Sequence, residues 1–230
     1  MTEAQPPAFP FLTLLISGGH SQLLLATGID SFEILVDTGT LPLGTCFDRL
    51  GKSLGLDYGS GLGPALEQTA ALEPIGGESA LPTLQPVKFP SVRSSTFDFD
   101  GILASMQHEL VRLAPPGVLV PHESKARHDA AKLSQNDRIA IARTFQEAVT
   151  RILVKKIRAA LATQRAGVAA AVKMYDKLDD KGSIRRSGIV SSPLAIGSLV
   201  VSGGVACNNY IRARCAWPSH PHASRPPAVG

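Results

Sequence analysis

Short apolar runs separated by glycine and polar residues open the chain and predict β-strands. The runs cover residues 12–16, 22–26 and 32–36. Apolar runs of this length between turn residues are typical of strands, and connections of only a few residues favour antiparallel neighbours. The start of the chain is therefore predicted to be a β-meander.

Farther along, apolar residues recur at intervals of three and four, which predicts amphipathic helices. Phe47, Leu50 and Leu54 would share one face of the first helix. The clearest helix starts at a cap near Ser134 and keeps one apolar face for many turns. The predicted helices cover residues 46–56, a segment that starts at Pro64, residues 101–113 and residues 134–161.

Two further segments complete the prediction of secondary structure. Residues 73–96 are rich in proline, glycine and serine, which predicts a long loop with one short strand at 87–89. A final strand is predicted at 198–202, where an apolar run is closed by two glycines. The order of strands and helices predicts an α/β fold.

The same pattern suggests how the chain is organised. We interpret residues 1–8 as an N-terminal extension and residues 9–215 as one domain. A charged and polar stretch at 163–198 is predicted to be an insertion in that domain. Residues 216–230 carry no folding pattern and are predicted to form a disordered tail.

The composition is that of a globular protein, with 44% hydrophobic and 18% charged residues. A net charge of +4 is compatible with a polyanionic partner. Cys46, Cys207 and Cys215 form no C-x-x-C pair and are odd in number, so neither a disulfide framework nor a cysteine zinc site is predicted. The longest apolar run, residues 11–16, is too short to span a bilayer, and no membrane association is predicted.

A strand followed by two glycines occurs twice, at Ser17-Gly18-Gly19-His20 and at Ser202-Gly203-Gly204. Paired glycines let backbone N–H groups approach an anion closely, and the serine before them can add a hydroxyl donor. Each pair taken alone can equally make only a tight turn. Two copies at opposite ends of one domain favour a shared phosphate site.

Two other motifs are rejected as sites. The segment from Gly44 to Gly51-Lys52-Ser53 resembles a phosphate-binding P-loop, but six residues separate its glycines where that motif has four, and they carry helical periodicity. Lys52 is therefore interpreted as a solvated helix residue.

The histidines do not predict a metal site. His122 and His128 are six residues apart, while His220 and His222 lie in the unpatterned tail. Pairs of metal ligands on a helix are spaced by four residues.

Several motifs in order along the chain resemble those of one family. They are residues 9–12, residues 17–23, Asp48 within residues 44–49, Gly61-Leu62-Gly63-Pro64, Phe145-Gln146-Glu147-Ala148-Val149, and residues 202–208. Their order and spacing resemble the tRNA N6-adenosine threonylcarbamoyltransferase family, formerly called O-sialoglycoprotein endopeptidases. The resemblance runs from Phe9 to Arg214, apart from the insertion, and looks closer to the organellar branch.

The resemblance implies an actin-like ATPase (ASKHA) fold, of which this chain would supply mainly the second domain and thus an incomplete version. It also implies transfer of a threonylcarbamoyl group from threonylcarbamoyl-AMP to N6 of the adenosine adjacent to the tRNA anticodon. Expected ligands are an adenylate nucleotide or ATP and a divalent metal, iron or zinc. Expected partners are tRNA and either a second copy of the chain or another protein, and the expected compartment is the mitochondrion, with the cytoplasm as the alternative.

The resemblance also assigns residues to substrate binding. The loop after the first strand would hold the phosphate and acyl portion, Asp48 and Gly63 would contact the ribose, and Asn208 would lie by the adenine. The full set is Leu15, Ile16, Ser17, Gly18, Gly19, His20, Asp48, Gly63, Gly203, Gly204 and Asn208.

The chain also departs from the family pattern. The two histidines four apart and the downstream aspartate that hold the family's metal have no counterpart here, so the sequence predicts no metal ligands and a chain truncated at both ends. Residues 40–43 replace the family's acidic and small residues, and Asp98-Phe99-Asp100-Gly101-Ile102-Leu103 stands where the family has Ser-Phe-Ser-Gly-Leu-Lys. The alternatives that stay open are another actin-like-fold ATP-binding kinase, a non-catalytic binding module, and an inactive fragment.

Overall fold

The computed structural model describes residues 6–57, 59, 61–90, 95–114, 133–176 and 196–215, and the side chains of these residues except those of 164–176. The strands are β1 (Phe11–Ile16), β2 (Ser21–Gly28), β3 (Ser31–Thr38), β4 (Thr96–Phe97) and β5 (Leu199–Ser202). The α-helices are α1 (Leu43–Ser53), α2 (Leu62–Ala71), α3 (Asp100–Leu113), α4 (Gln135–Asp176) and α5 (Asn209–Cys215). Two 3-10 helices cover Glu78–Ala80 and Gly204–Cys207.

The strands form one sheet in the order β4-β3-β2-β1-β5. β1, β2 and β3 are antiparallel neighbours, while β5 lies parallel to β1, with Leu12 opposite Leu199 and Leu15 opposite Ser202. Parallel strands end at the same edge of a sheet. The turns that follow β1 and β5 therefore lie side by side.

One face of the sheet carries the core. Leu12, Leu14 and Ile16 alternate with partly exposed residues along β1 and are fully buried in one cluster with the helices. In that cluster Phe47 of α1 meets Phe145 of α4 edge to face, with ring centroids 5.1 Å apart. Because strand side chains alternate between faces, this packing fixes which face of the sheet is covered by the helices.

The long helix α4 also holds the segment after α2. Arg143 donates to the carbonyl oxygens of Ala70 and Leu72, each at 2.8 Å, and pairs with Glu78 at 2.7 Å. Asn136 exchanges two hydrogen bonds of 2.9 Å with the backbone of Ile75. The end of α2 is thereby fixed relative to α4.

The structure confirms the mixed α/β class and the meander, and it corrects several element bounds. α1 begins at Leu43 and α2 at Leu62, because the residues before them are not helical: Pro42 is extended and Gly61 has a φ of +90°. The prediction of a strand at 87–89 was wrong, because no strand forms there. The short strand is Thr96–Phe97, where the end of β3 offers a parallel partner. α4 continues to Asp176 instead of ending near 161.

Some predictions concern other parts of the chain. The segment 216–230, predicted to be a disordered tail, and residues 177–195 of the predicted insertion lie outside the described residues, and the division into domains stays a prediction. Within the ranges that the structure describes, no helix is both long and apolar enough to cross a membrane.

Candidate functional site

The two glycine turns meet at one edge of the sheet. Gly203, directly after β5, has φ of +101°, and a Cβ atom there would collide with the carbonyl oxygen of Ile16 and lie 2.8 Å from its carbonyl carbon. Only glycine adopts this backbone conformation without strain. The turn after β5 is thus packed directly against the end of β1.

The turn after β1 is organised by Ser17. Its Oγ accepts hydrogen bonds from the N–H groups of Gly19 at 3.2 Å and His20 at 3.0 Å, and its hydroxyl donates to the carbonyl oxygen of His20 at 3.3 Å. The hydroxyl expected to face a phosphate is therefore used inside the turn. Gly18, Gly19 and His20 are exposed, and a Cβ on either glycine would meet nothing within 4 Å.

The N-terminus of α1 packs against this turn. The N–H of Gly44 donates to the carbonyl oxygen of Ser17 at 3.0 Å, and Thr45 Oγ1 donates to that of Gly18 at 2.9 Å. A Cβ on Gly44 would lie 2.7 Å from backbone atoms of both residues. Helix N-termini carry partial positive charge, so α1 adds to the positive potential at this edge.

Sequence reasoning missed this contact. It included Gly44 in a motif but gave it no role, and Thr45 and Ser21 received none. Ser21 is fully buried and its Oγ accepts the N–H of Leu43 at 2.9 Å, which ties the start of α1 to β2. A glycine two residues before the predicted helix at 46–56 was the available signal.

Asp48 lies on the solvent-exposed surface of α1, three residues after Thr45 and hence on a neighbouring part of the same face. Farther along, Gly51 lies against α2, where a Cβ would be 2.9 Å from the Cβ of Leu62. Lys52 is exposed in the last turn of α1. The rejection of a P-loop is confirmed, because this glycine and lysine belong to a helix end.

Gly63 lies in the first turn of α2, where an added Cβ would meet nothing within 4 Å. Glu67 is one turn farther along the same face and accepts the N–H of Asn209 through Oε1 at 2.8 Å. This bond joins α2 to the start of α5, so Gly63 lies on the side of α2 that faces the end of the β5 turn.

Asn208 has a structural position. It is only 7% exposed; its Oδ1 accepts the N–H of Ile211 at 2.9 Å and its Nδ2 donates to Gln146 Oε1 at 3.0 Å. The first bond caps α5, and the second ties that cap to the buried side of α4. Its contact with an adenine stays a prediction, and its partner Gln146 was quoted in a motif without a role.

Two buried cysteines are unsuited to nucleophilic chemistry. Burial raises the pKa of the Cys46 thiol to about 12 and that of Cys215 to about 11. Thiolates, not thiols, are the reactive species. Both side chains therefore serve as small apolar groups of the core.

The described residues do not fit a metal ion. Across 6–57, 59, 61–90, 95–114, 133–163 and 196–215, no group of three or more His, Cys, Asp and Glu side chains is placed to hold one.

The arrangement defines an α/β protein with a candidate phosphate-binding edge, at which two glycine turns meet the N-terminus of a helix. The sequence model of the tRNA N6-adenosine threonylcarbamoyltransferase family (TsaD) matches residues 1–228. The chain belongs to this family, as the ordered motifs predicted.

Individual relatives agree with the family match. Proteins named tRNA N6-adenosine threonylcarbamoyltransferase from Chromobacterium violaceum and Bartonella tribocorum are each 31% identical, over 86% and 93% of this chain. One from Methylobacillus flagellatus is 32% identical over 93% of it. The alignments cover 55%, 47% and 48% of the relatives, so the chain spans about half the length of the curated relatives it matches.

Proposed function

We propose that the chain provides an adenylate-binding part of a tRNA N6-adenosine threonylcarbamoyltransferase. In the proposed reaction the N6 amine of the adenosine adjacent to the tRNA anticodon forms a bond to the carbamoyl carbon of threonylcarbamoyl-AMP. The bond between that carbon and the phosphate oxygen breaks, AMP leaves, and the amine loses a proton. Family membership and the names of the relatives support this assignment.

The observation that carries the proposal is the parallel pairing of β1 with β5. This pairing brings Gly18 and Gly203, which are far apart in sequence, to one edge of the sheet. Gly203 packs against Ile16, which precedes Gly18 by two residues at the end of β1. A phosphate at this edge would use backbone N–H groups of the two turns other than those of Gly19 and His20, which donate to Ser17 Oγ, together with the partial positive charge of the α1 N-terminus. These groups would also stabilise negative charge that develops on the departing phosphate.

The remaining assigned residues extend from that edge along α1. Gly51, which packs against Leu62 at the start of α2, lies seven positions after Gly44, which packs against the β1 turn; this corresponds to about 10 Å along the axis of α1. Asp48 lies between them and would accept hydrogen bonds from ribose hydroxyls, and Gly63 would contact the ribose from α2, where a Cβ would meet nothing within 4 Å. The Nδ2 of Asn208 carries two hydrogens, of which Gln146 takes one.

The proposal includes the actin-like ATPase fold, with this chain supplying mainly the second domain. An antiparallel meander followed by a strand parallel to its first member supports that assignment. Iron or zinc is expected for the family, but no described residue is assigned to it. The mitochondrial compartment rests on resemblance alone, and so do association with tRNA and with a second subunit.

Adenylate binding can be tested by titration calorimetry of the full chain with AMP. Asp48→Asn removes the carboxylate from an exposed position, and we expect it to weaken AMP binding about tenfold, the cost of one charge-assisted hydrogen bond. Asp57→Asn, at another exposed carboxylate, is the matched control and should leave the affinity unchanged. Equal effects of the two variants would contradict the assigned role of Asp48.

Catalysis is tested by mass spectrometry of tRNA nucleosides after incubation with threonylcarbamoyl-AMP, with a full-length relative as the positive control. Modified adenosine is expected from the relative, and modified adenosine from this chain would extend the proposal from adenylate binding to catalysis. AMP binding without modification would assign the chain to a binding role, and ATP-dependent phosphorylation of a small molecule would favour a kinase of the same fold.

A further inference from the structure

A stripe of basic residues follows the solvent side of α4. Arg151, Lys155 and Arg158 are spaced by four and three residues, so they lie above one another on one helix face, and all three are exposed. The ion pairs of Arg112 with Glu109 and of Arg143 with Glu78 include no residue of this stripe. Within the described part of the chain, no carboxylate forms an ion pair with Arg151, Lys155 or Arg158.

An aromatic ring holds two of these cations in place. Arg151 Cζ lies 5.3 Å and Lys155 Nζ 5.4 Å from the ring centroid of Phe89, which is 37% exposed. A cation over a ring face gains about 0.5–1 kcal/mol at an exposed site. Because the two side chains are already ordered on the ring, they lose less conformational entropy when they bind an anion. Lys88, the neighbour of Phe89, is exposed as well.

The stripe begins close to the candidate site. Gln146, which binds Asn208, precedes Arg151 by five residues and Arg158 by twelve, which is about 7.5 and 18 Å along the helix axis. Glu147, one turn before Arg151, is the acidic residue at the site end of this face. On this face of α4, charge therefore changes from negative at Glu147 to positive at Arg151, Lys155 and Arg158 with increasing distance from the candidate site.

We propose that Arg151, Lys155 and Arg158, with Lys88 and with Phe89 as the residue that positions two of them, form a surface that binds the phosphate backbone of the substrate RNA. The inference rests on the proposed function and extends it, because it places RNA contact outside the adenylate site. Arginine and lysine contacts to phosphates supply affinity without sequence readout. The surface would orient the RNA relative to the candidate adenylate site.

The test is fluorescence anisotropy of labelled tRNA with the full chain at several salt concentrations. The double variant Arg151→Gln and Lys155→Gln should weaken binding about tenfold and lower the slope of log affinity against log salt by about two, since each phosphate contact contributes close to one. The control is Arg212→Gln with Arg214→Gln, which removes the same charge from exposed positions on α5. The control should weaken binding clearly less.

Two further measurements separate this proposal from the proposed function. Phe89→Leu keeps an apolar side chain but removes the ring face, and a loss of about threefold in RNA affinity is expected from the weaker positioning of both cations. AMP affinity of the Arg151 and Lys155 double variant should equal that of the unchanged chain. RNA binding that falls equally in both double variants, or in neither, overturns the surface even if AMP binds. If the unchanged chain does not bind AMP but the Arg151 and Lys155 double variant loses RNA affinity selectively, the adenylate site is overturned and the RNA-binding surface is supported.

Discussion

The two glycine turns share the sequence Ser-Gly-Gly but need glycine for different reasons. In the turn after β5, Gly203 has a positive φ and no space for a Cβ, whereas Gly204 faces open space. In the turn after β1, Gly18 and Gly19 both face open space. The fold requires Gly203, and it does not explain Gly18 or Gly19. Since packing does not require Gly18 or Gly19, the first turn is the better candidate for a ligand-binding surface.

The largest expected effect is that of Gly203→Ala. The new Cβ would collide with the carbonyl oxygen of Ile16 in a backbone conformation that favours glycine, so we expect the free energy of unfolding to fall by about 3 kcal/mol. Chemical denaturation measures this loss. Gly204→Ala is the control and should change stability by less than about 0.5 kcal/mol. Similar values for the two variants would show that the packing of the β5 turn is wrong.

Asn208→Ala should rank second. It removes the cap of α5, at about 1 kcal/mol, and leaves the buried Gln146 without its partner, for a total near 2 kcal/mol. Asn208→Asp can keep both bonds, because the amide of Gln146 can turn to donate. Denaturation should therefore show a much smaller loss for aspartate than for alanine, and an equal loss would contradict the capping role.

Gly44→Ala tests the contact between α1 and the first turn. Its Cβ would lie 2.7 Å from backbone atoms of Ser17 and Gly18, and the gain in helix propensity of about 1 kcal/mol offsets only part of that conflict. We expect a net loss of about 1–2 kcal/mol in unfolding free energy. Gly63→Ala, in the first turn of α2 with open space around it, should leave stability unchanged or slightly raised. The contact would be refuted by a stabilising Gly44→Ala.

Gly18→Ala should have the smallest effect on stability. Nothing lies within 4 Å of the new methyl group, so a change below about 0.5 kcal/mol is expected. AMP affinity should nevertheless fall, because the methyl group occupies the surface where a phosphate would approach the backbone. Calorimetry and denaturation of the same sample separate the two effects. Unchanged AMP affinity would remove Gly18 from the proposed site.

Much of the fold was predictable because it depends on local patterns. Alternation and short turns predicted the meander, and intervals of three and four predicted the helices. The strand at 87–89 was predicted from local propensity, but β4 forms at Thr96–Phe97, where β3 supplies hydrogen-bonding partners. The location of β4 depends on hydrogen bonding to a distant strand, and the local sequence does not encode that pairing.

The candidate site shows the same division. Strand ends followed by glycines correctly indicated two turns that share one edge. The use of the Ser17 hydroxyl within its own turn and the tie between Asn208 and Gln146 depend on side-chain positions in three dimensions. Gly44 is required by the approach of a helix to a turn more than twenty residues earlier in the chain. None of these contacts has a signature in spacing alone.

The central claim is that both glycine turns bind one adenylate, and amide chemical shifts of the nitrogen-15-labelled full chain during an AMP titration test it most directly. We predict that the amides of Gly18 and Gly19 and those of Gly203 and Gly204 shift together, with one shared dissociation constant. Shifts confined to a single turn, or two turns that saturate at different AMP concentrations, would contradict the claim.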